Sequence, residues 1–345
     1  MPEKKLRVAL IGTGGEGGDF LAARGFNSPG NWGLQHARIY HQRTDLDFVG
    51  IVGRDAVRTK SRAEEYGTRP YTDIDEMLKR ESPDLVSVVL PNLDHFAVTL
   101  KLIQAGVPLL VEKPLVFTLS EADILMNEAS KRGLFFAICF NHRYAKPLQL
   151  AKEAVDAGRL GDLTFASWRF GGEGASTHPH ANLLETQCHG FDMLEHLCGP
   201  IRSVMAEMTD KTGGGFRTLS LALRFESGAV GSLIGTYDSS YAYQDAHRLE
   251  LDGTAGRVVV HDTVKAFEYQ ARGNEVAEHW SAGYFNDLDR EFHRITDRYF
   301  DEMLAALRQG HSPPVPATAG YRAVRLAYAA IEAFNSGKRV SIPAT

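Results

Sequence analysis

At 345 residues the chain exceeds one ordinary core, and its length alone points to two domains. A composition that is 43% hydrophobic and 23% charged excludes extended disorder. A formal net charge of -5, from 38 basic and 43 acidic residues, excludes the electrostatic footprint of a protein that neutralises many phosphates, so nucleic acid is not an expected partner.

The first 140 residues alternate short, almost continuously apolar runs with helical patterns, as parallel strands buried on both faces require. The spacing predicts strands over Leu6–Ile11, Phe48–Val52, Leu85–Leu90, Val107–Val111 and Leu134–Phe140. Helices are expected over residues 56–66, 73–81, 94–105 and 120–131. Ser120 followed by Asp123 reads as a capping box, and Gly106 and Gly133 stand where helices should stop. This is a βαβ series, an α/β Rossmann domain with a doubly wound parallel sheet over residues 1–140.

Residues 141–345 read as a second, α+β domain with a large, mostly antiparallel open sheet. A helix over Lys146–Ala157 precedes strand-like runs at Leu163–Phe170, Leu219–Phe225, Ala229–Thr236 and Arg257–Val260. Turns are expected at Glu226-Ser227-Gly228 and at Asp252-Gly253. One amphipathic pattern runs from Leu288 to Leu307, a proline-rich turn from His311 to Pro316, and a last helix over 318–335 ends at Gly337. That last helix is a candidate to pack back on the first domain.

The cations near the N-terminus are followed by an apolar run broken at Gly12, Gly14 and Gly15, unlike a signal peptide, and no later stretch is apolar for long enough to span a bilayer. A soluble, cytoplasmic protein is the expectation. Cys139, Cys188 and Cys198 lack the spacing of a disulfide framework and read as reduced and structural. Cys188 beside His189 suggests a nucleophile pair, but helix neighbours point about 100° apart.

Leu10-Ile11-Gly12-Thr13-Gly14 runs a strand directly into a Gly-x-Gly turn, where backbone amides can approach a pyrophosphate near a helix N-terminus. The stretch from Gly15 to Asn31 reads as an inserted loop, because a good helical start appears only at Gly33-Leu34-Gln35-His36. Gly33 is then the third glycine of the fingerprint, and the contiguous Gly17 a coincidence. The second strand ends in Val52-Gly53-Arg54-Asp55, without a carboxylate at the usual ribose position. Arg54 there favours the 2′-phosphate of NADP, while Asp55, one residue late, keeps NAD open.

Three groups follow. Leu90-Pro91-Asn92-Leu93-Asp94-His95 ends a central strand, where such sheets bind ligands. Glu112-Lys113-Pro114 ends the next, and a lysine beside a positive nicotinamide would have its charged form disfavoured; a plain surface lysine in a turn is the competing reading. Glu185, His189 and Asp192 fall at i, i+4 and i+7 and could share one helical face as an acid/base set. The alternatives are a core helix with a satisfied histidine, or a metal site recruiting His178 and His180; no further ligand cluster matches, and no metal is expected.

At these residues the sequence resembles the Gfo/Idh/MocA family, the glucose-fructose oxidoreductase and inositol dehydrogenase group, over nearly the whole chain. The resemblance rests on the Gly-x-Gly turn, Pro91-Asn92 with His95, Glu112-Lys113-Pro114, Asn141-x-Arg143-Tyr144, His189 with Asp192, and the Gly320–Gly337 helix. It implies hydride transfer between NADP or NAD and a sugar, cyclitol or related polyol. In the roles it implies, Lys113 and His189 are catalytic with Glu185 beside them. Asn141, Arg143 and Asp192 face substrate, and Gly12, Thr13, Gly14, Gly33, Arg54, Pro91, Asn92, His95 and Glu112 hold cofactor. It also implies a cis Lys113–Pro114 bond and a homodimer or homotetramer built through the C-terminal sheet. Many family members carry Asp-x-Gly-x-His-x-x-Asp, whereas this chain has Glu185 for the first Asp and Gln187 for the Gly, which puts the pocket's shape in question. Two other functions stay open: an NAD-dependent glycoside hydrolase and a non-catalytic dinucleotide sensor.

Overall fold

The computed structural model describes residues 4–14, 32–174 and 178–343; the expected insertion at 15–31, with Gly17 inside it, lies outside the described residues. The chain divides into two compact units, one of residues up to 139 with 300–321, the other of 140–299 with residues from 322 onward.

In the first unit the elements run β1 (Leu6–Ile11), α1 (Trp32–Gln42), β2 (Leu46–Val52), α2 (Ala56–Glu65), β3 (Pro70–Tyr71), α3 (Ile74–Glu81), β4 (Leu85–Val88), α4 (His95–Gln104), β5 (Leu109–Val111), α5 (Leu119–Arg132) and β6 (Phe136–Ile138). Among the described residues the strands form one parallel sheet in the order β3-β2-β1-β4-β5-β6. Consecutive residues are buried along the central strands, Val8-Ala9-Leu10 and Leu109-Leu110-Val111 among them, because a sheet with helices on both faces leaves neither side for water. The chain order reverses between β1 and β4, and at such a switch point the carboxyl ends of the strands open a crevice.

The second unit carries α6 (Lys146–Asp156), β7 (Leu163–Gly171), α7 (Cys188–Cys198), β8 (Ile201–Thr209), β9 (Thr218–Phe225), β10 (Val230–Thr236), β11 (His247–Gly253), β12 (Gly256–His261), β13 (Ala266–Ala271), β14 (Glu278–Ser281), α8 (Asp287–Arg290) and the start of α9 (Ile295–Arg308). The helix α10 (Ala317–Ser336) starts in the first unit and continues in the second, which also holds β15 (Val340–Ser341). Its sheet runs β14-β13-β12-β11-β7-β10-β9-β8-β15 and is antiparallel apart from the β7–β10 pair. Strand β9 alternates strictly, with Leu219, Leu221, Leu223 and Phe225 buried and Ser220, Ala222 and Arg224 outward, so one face of the sheet meets the core.

Three local expectations need correction. The capping box of α5 is Thr118 with Glu121, each side chain bonded to the other's backbone, not Ser120 with Asp123. The helix starts earlier than the apolar pattern suggests, and Asp123 instead accepts from the Tyr321 hydroxyl. Asp252-Gly253 is not a turn: β11 runs through it and turns at Thr254-Ala255. Gly253 is needed for close approach, since a Cβ there would lie 2.2 Å from the Leu160 carbonyl oxygen. The single amphipathic pattern over 288–307 is broken at Glu291, which is extended (φ -87°, ψ 117°). Asn286 caps α8 through the Asp289 amide, giving that short helix a start of its own that periodicity does not reveal.

Candidate active site

The first unit contributes its part through backbone turns at strand ends. Gly12 leaves β1 at φ +125°, and a Cβ there would lie 1.9 Å from the Val89 carbonyl oxygen at the end of β4. Only glycine passes at this crossing. Thr13 is nearly buried, and Gly14 also takes a positive φ, 74°. Gly33 is buried in the first turn of α1. This glycine-lined turn at the switch point suits a pyrophosphate.

At the end of β2 the two sequence candidates separate. Asp55 is the N-cap of α2: its carboxylate accepts the Arg58 amide at 2.9 Å, and that bond draws its pKa below the usual carboxylate range. The Arg54 side chain stays 83% exposed and pairs with Asp94 at 3.2 Å. Arg58, which sequence reasoning passed over, donates from Nη1 to the Gly14 carbonyl at 3.2 Å and so brings a cation to the dinucleotide turn.

Beyond β4, Pro91 is exposed and Asn92 opens a 3-10 turn over Asn92–Asp94. His95 follows, fully buried, its Nδ1 2.8 Å from the Pro114 carbonyl and its Nε2 3.0 Å from that of Leu90. Burial holds this imidazole below its ordinary pKa, so in its neutral form a single N–H donates to one of these two carbonyls. Lys113 sits half-buried just past β5, and the Lys113–Pro114 peptide is cis. Glu112 is buried; one carboxylate oxygen lies 3.1 Å from His36 Nε2 and the other accepts the Lys113 amide at 3.2 Å.

In the second unit the candidates are held by side-chain partners, and two of them, Arg143 and Asp192, bond each other. Asn141 and Arg143 lie on a 3-10 turn over Asn141–Tyr144. Asn141 donates to the Thr296 hydroxyl at 3.0 Å, and Arg143 grips Asp192 with two parallel bonds of 2.9 and 2.5 Å. Burial opposes both charges in that pair, raising Asp192, but the carboxylate outweighs it at Arg143 and holds the guanidinium above its ordinary value. With that bidentate geometry the pair is ionised. His189 is buried on α7 and stacks face to face on His142, ring centroids 4.0 Å apart and planes 7° apart, with Phe140 edge-on at 5.7 Å.

Glu185 does not continue the helix of His189 and Asp192. It lies on a π-helical turn, Asn182–Thr186, and α7 begins only at Cys188, so the i, i+4, i+7 face holds for the second and third residues alone. Gln187 is fully buried and donates to Phe170 O at 3.3 Å and to Asn182 Oδ1 at 3.0 Å. His178 and His180 are joined by a backbone-to-ring bond, and the His180 ring lies on Phe216 at 4.9 Å. Among the described residues the His/Cys/Asp/Glu group with donor atoms close enough for a metal is instead His36, Glu112 and Cys139.

Sequence reasoning missed His36, Arg58, His142 and Thr296. His142 was hidden as the variable position of Asn141-x-Arg143, and His36 as part of a helical start; their roles come from partners far away in sequence.

Residues 6–140 match the Gfo/Idh/MocA oxidoreductase family in its NAD-binding Rossmann fold, and residues 152–342 match the same family's C-terminal alpha/beta domain. The chain belongs to this oxidoreductase family. Within it, D-glucoside 3-dehydrogenase of Escherichia coli (strain K12) is 30% identical over 226 residues, covering 62% of this chain and 60% of that protein. Myo-inositol 2-dehydrogenase of Thermotoga maritima is 24% identical over 331 residues, 91% of this chain and 96% of that one. Levoglucosan dehydrogenase, solved in complex with NADH and L-sorbose, shares the fold with a TM-score of 0.84 at 18% identity, covering 99% of this chain and 100% of that one. The WlbA dehydrogenase from Bordetella pertussis, solved with NADH and UDP-GlcNAcA, does so with a TM-score of 0.80 at 19% identity, covering 100% of each chain. As in the family, the first unit is an NAD-binding Rossmann fold. Among the described residues no helix is long and apolar enough to cross a membrane.

Proposed function

We propose that the protein is a nicotinamide-dependent dehydrogenase or reductase acting on a secondary hydroxyl or ketone of a sugar, cyclitol or related polyol. The observation that carries this reading is Lys113, placed at the carboxyl end of β5, two strands from the Gly12-Thr13-Gly14 turn at the switch point of the same sheet. A bound nicotinamide would accept or donate the hydride. Gly12, Thr13, Gly14 and Gly33 would hold the pyrophosphate, and Pro91 and Asn92 the nicotinamide side. His95 and Glu112, both buried and bonded internally, set these backbones.

Lys113 would orient the reacting oxygen and favour its alkoxide character, and His189 would take the hydroxyl proton in the oxidative direction. Asn141 and the Arg143–Asp192 pair would hold neighbouring hydroxyls, with Glu185 as a further acid near the proton path. The finer cofactor choice is NADP: Asp55 caps α2, whereas Arg54 and Arg58 offer two cations for a 2′-phosphate. The dehydrogenase activities named for the relatives favour this reading over glycoside hydrolysis. A cytoplasmic location fits three buried cysteines that form no disulfide with one another, and a homodimer or homotetramer would use the outward residues of the second sheet.

The test is to titrate the protein with NADPH and NADH, then screen cyclitols, aldoses and sugar acids for reduced nicotinamide, with Lys113→Met as control. Lys113-dependent turnover is the expected result. Dinucleotide binding without turnover on any substrate shifts the reading to the sensor, and release of sugar without net cofactor reduction shifts it to the hydrolase.

A further inference from the structure

Glu112 occupies a position where the fold alone would take an apolar residue. It continues β5 beyond Val111, its amide donates to Val88 O at 3.0 Å, and it is only 5% exposed. A carboxylate taken from water is strongly disfavoured unless its oxygens find partners. Both do: Oε1 meets His36 Nε2 at 3.1 Å and Oε2 accepts the Lys113 amide at 3.2 Å. Burial would drive this carboxyl upward, but the His36 hydrogen bond and the Lys113 charge keep it below the ordinary carboxylate range, with the Cys139 thiol also bonded to it.

His36 is itself fixed. It is fully buried on α1, and its ring meets Phe300 edge-on at 4.9 Å. One turn further along α1, Tyr40 shares a 2.5 Å hydrogen bond with Ser87 on β4. Helix α1 is thus tied by two buried polar bonds to the strand end that carries Lys113 and to the neighbouring strand. Because a carboxylate only accepts, its bond to His36 puts a proton on Nε2, and among the described residues Nδ1 meets no hydrogen-bond partner.

We propose that His36 is a positioning residue for Lys113, acting through the Glu112 carboxylate, so that the helix after the dinucleotide turn and the turn bearing Lys113 are held as one piece. The proposal rests on the role given to Lys113 above. One carboxylate bridging an imidazole and a backbone amide fixes the Lys113 backbone more narrowly than a single bond would, and displacement of a reacting group by about 1 Å can slow a reaction about a hundredfold.

The test compares His36→Leu, His36→Gln, and the double variant His36→Leu/Glu112→Gln with the parent and with Lys113→Met. His36→Leu is expected to lower kcat roughly ten- to a hundredfold, with the substrate KM within about threefold of the parent, and to lower Tm because the carboxylate is left buried without its partner. His36→Gln, whose amide can still donate to Oε1, recovers most of kcat. The double variant has no charge to bury and regains Tm but not kcat. A double variant that regains both, or a His36→Leu protein with parental kcat while Lys113→Met is inactive, overturns the role of His36. Stoichiometric bound metal in the purified protein also overturns it, since His36, Glu112 and Cys139 would then be ligands. Undiminished turnover in Lys113→Met overturns the functional reading itself.

Discussion

The two units hold their candidate residues in different ways. In the first, Gly12, Gly14, Asn92 and Lys113 lie where strands end, and the sheet places them through its backbone. In the second, Asn141, Arg143, His189 and Asp192 are positioned by side-chain partners, namely Thr296, the Arg143–Asp192 pair and His142. A half-buried strand-end side chain such as Lys113 can therefore be replaced with loss of activity and little loss of stability. In the second unit chemistry and packing share the same atoms, and replacements should affect both.

Lys113→Met sharpens the contrast most. It is expected to lower kcat by about a thousandfold or more, with Tm only slightly lowered, because Lys113 is half-buried and the Glu112 carboxylate beside it keeps its bonds to His36 and to the backbone amide of residue 113. Steady-state kinetics with a melting curve on the same sample checks it, and a large fall in Tm would break the comparison on the first unit's side. Asp192→Asn should do the opposite. It leaves the Arg143 guanidinium, 17% exposed, without its counter-charge and should destabilise the second unit by about 3–5 kcal/mol, measured by denaturant unfolding. An Asp192→Asn protein as stable as the parent would show that the pair does not hold the fold.

How legible each unit was in the sequence follows the same division. The five longer strands of the first sheet are visible because burial on both faces makes them continuous apolar runs, and its strand-end motifs can be read from position alone. The two-residue strand Pro70–Tyr71 is too short to show any pattern. In the second sheet β8, β11, β13, β14 and β15 went unread. β11, His247–Gly253, carries charges on its outward side that disguise a strand, and β14 has little burial of any kind. The i, i+4, i+7 argument at Glu185 failed because helical spacing presumes one regular helix, and the π-turn before Cys188 breaks it. The pairings of His142 with His189 and of His36 with Glu112 join residues 47 and 76 positions apart, which no local pattern can show.

A smaller effect follows from His247. Burial pushes its pKa down to about 3, and its Nδ1 lies 2.9 Å from the Thr263 hydroxyl. The unfolded chain binds a proton at this histidine near pH 6.5 while the folded unit does not until about pH 3, so stability is complete above pH 6.5 and is lost as pH falls between these values. Between pH 6.5 and 5 the loss from this residue should be about 1.5 kcal/mol, and His247→Phe should flatten it. Unfolding curves at the two pH values decide the matter; an unchanged pH slope in the variant would assign acid sensitivity elsewhere. The smallest effect is expected at Arg54, which is exposed in the first unit. Arg54→Ala should weaken NADPH binding about tenfold, leaving NADH binding and Tm unaltered, as a fluorescence titration can show. Equal weakening of both cofactors would remove Arg54 from the 2′-phosphate.

The central claim is that a carbon-bound hydrogen of a polyol passes directly to nicotinamide under the control of Lys113. The most direct measurement gives the protein oxidised dinucleotide and an inositol deuterated at its carbinol carbons, then follows the label by mass spectrometry. Deuterium in the reduced nicotinamide with the parent protein, and none with Lys113→Met, is the result predicted here. Reduced cofactor without label, or equal labelling in the Lys113→Met protein, would contradict it.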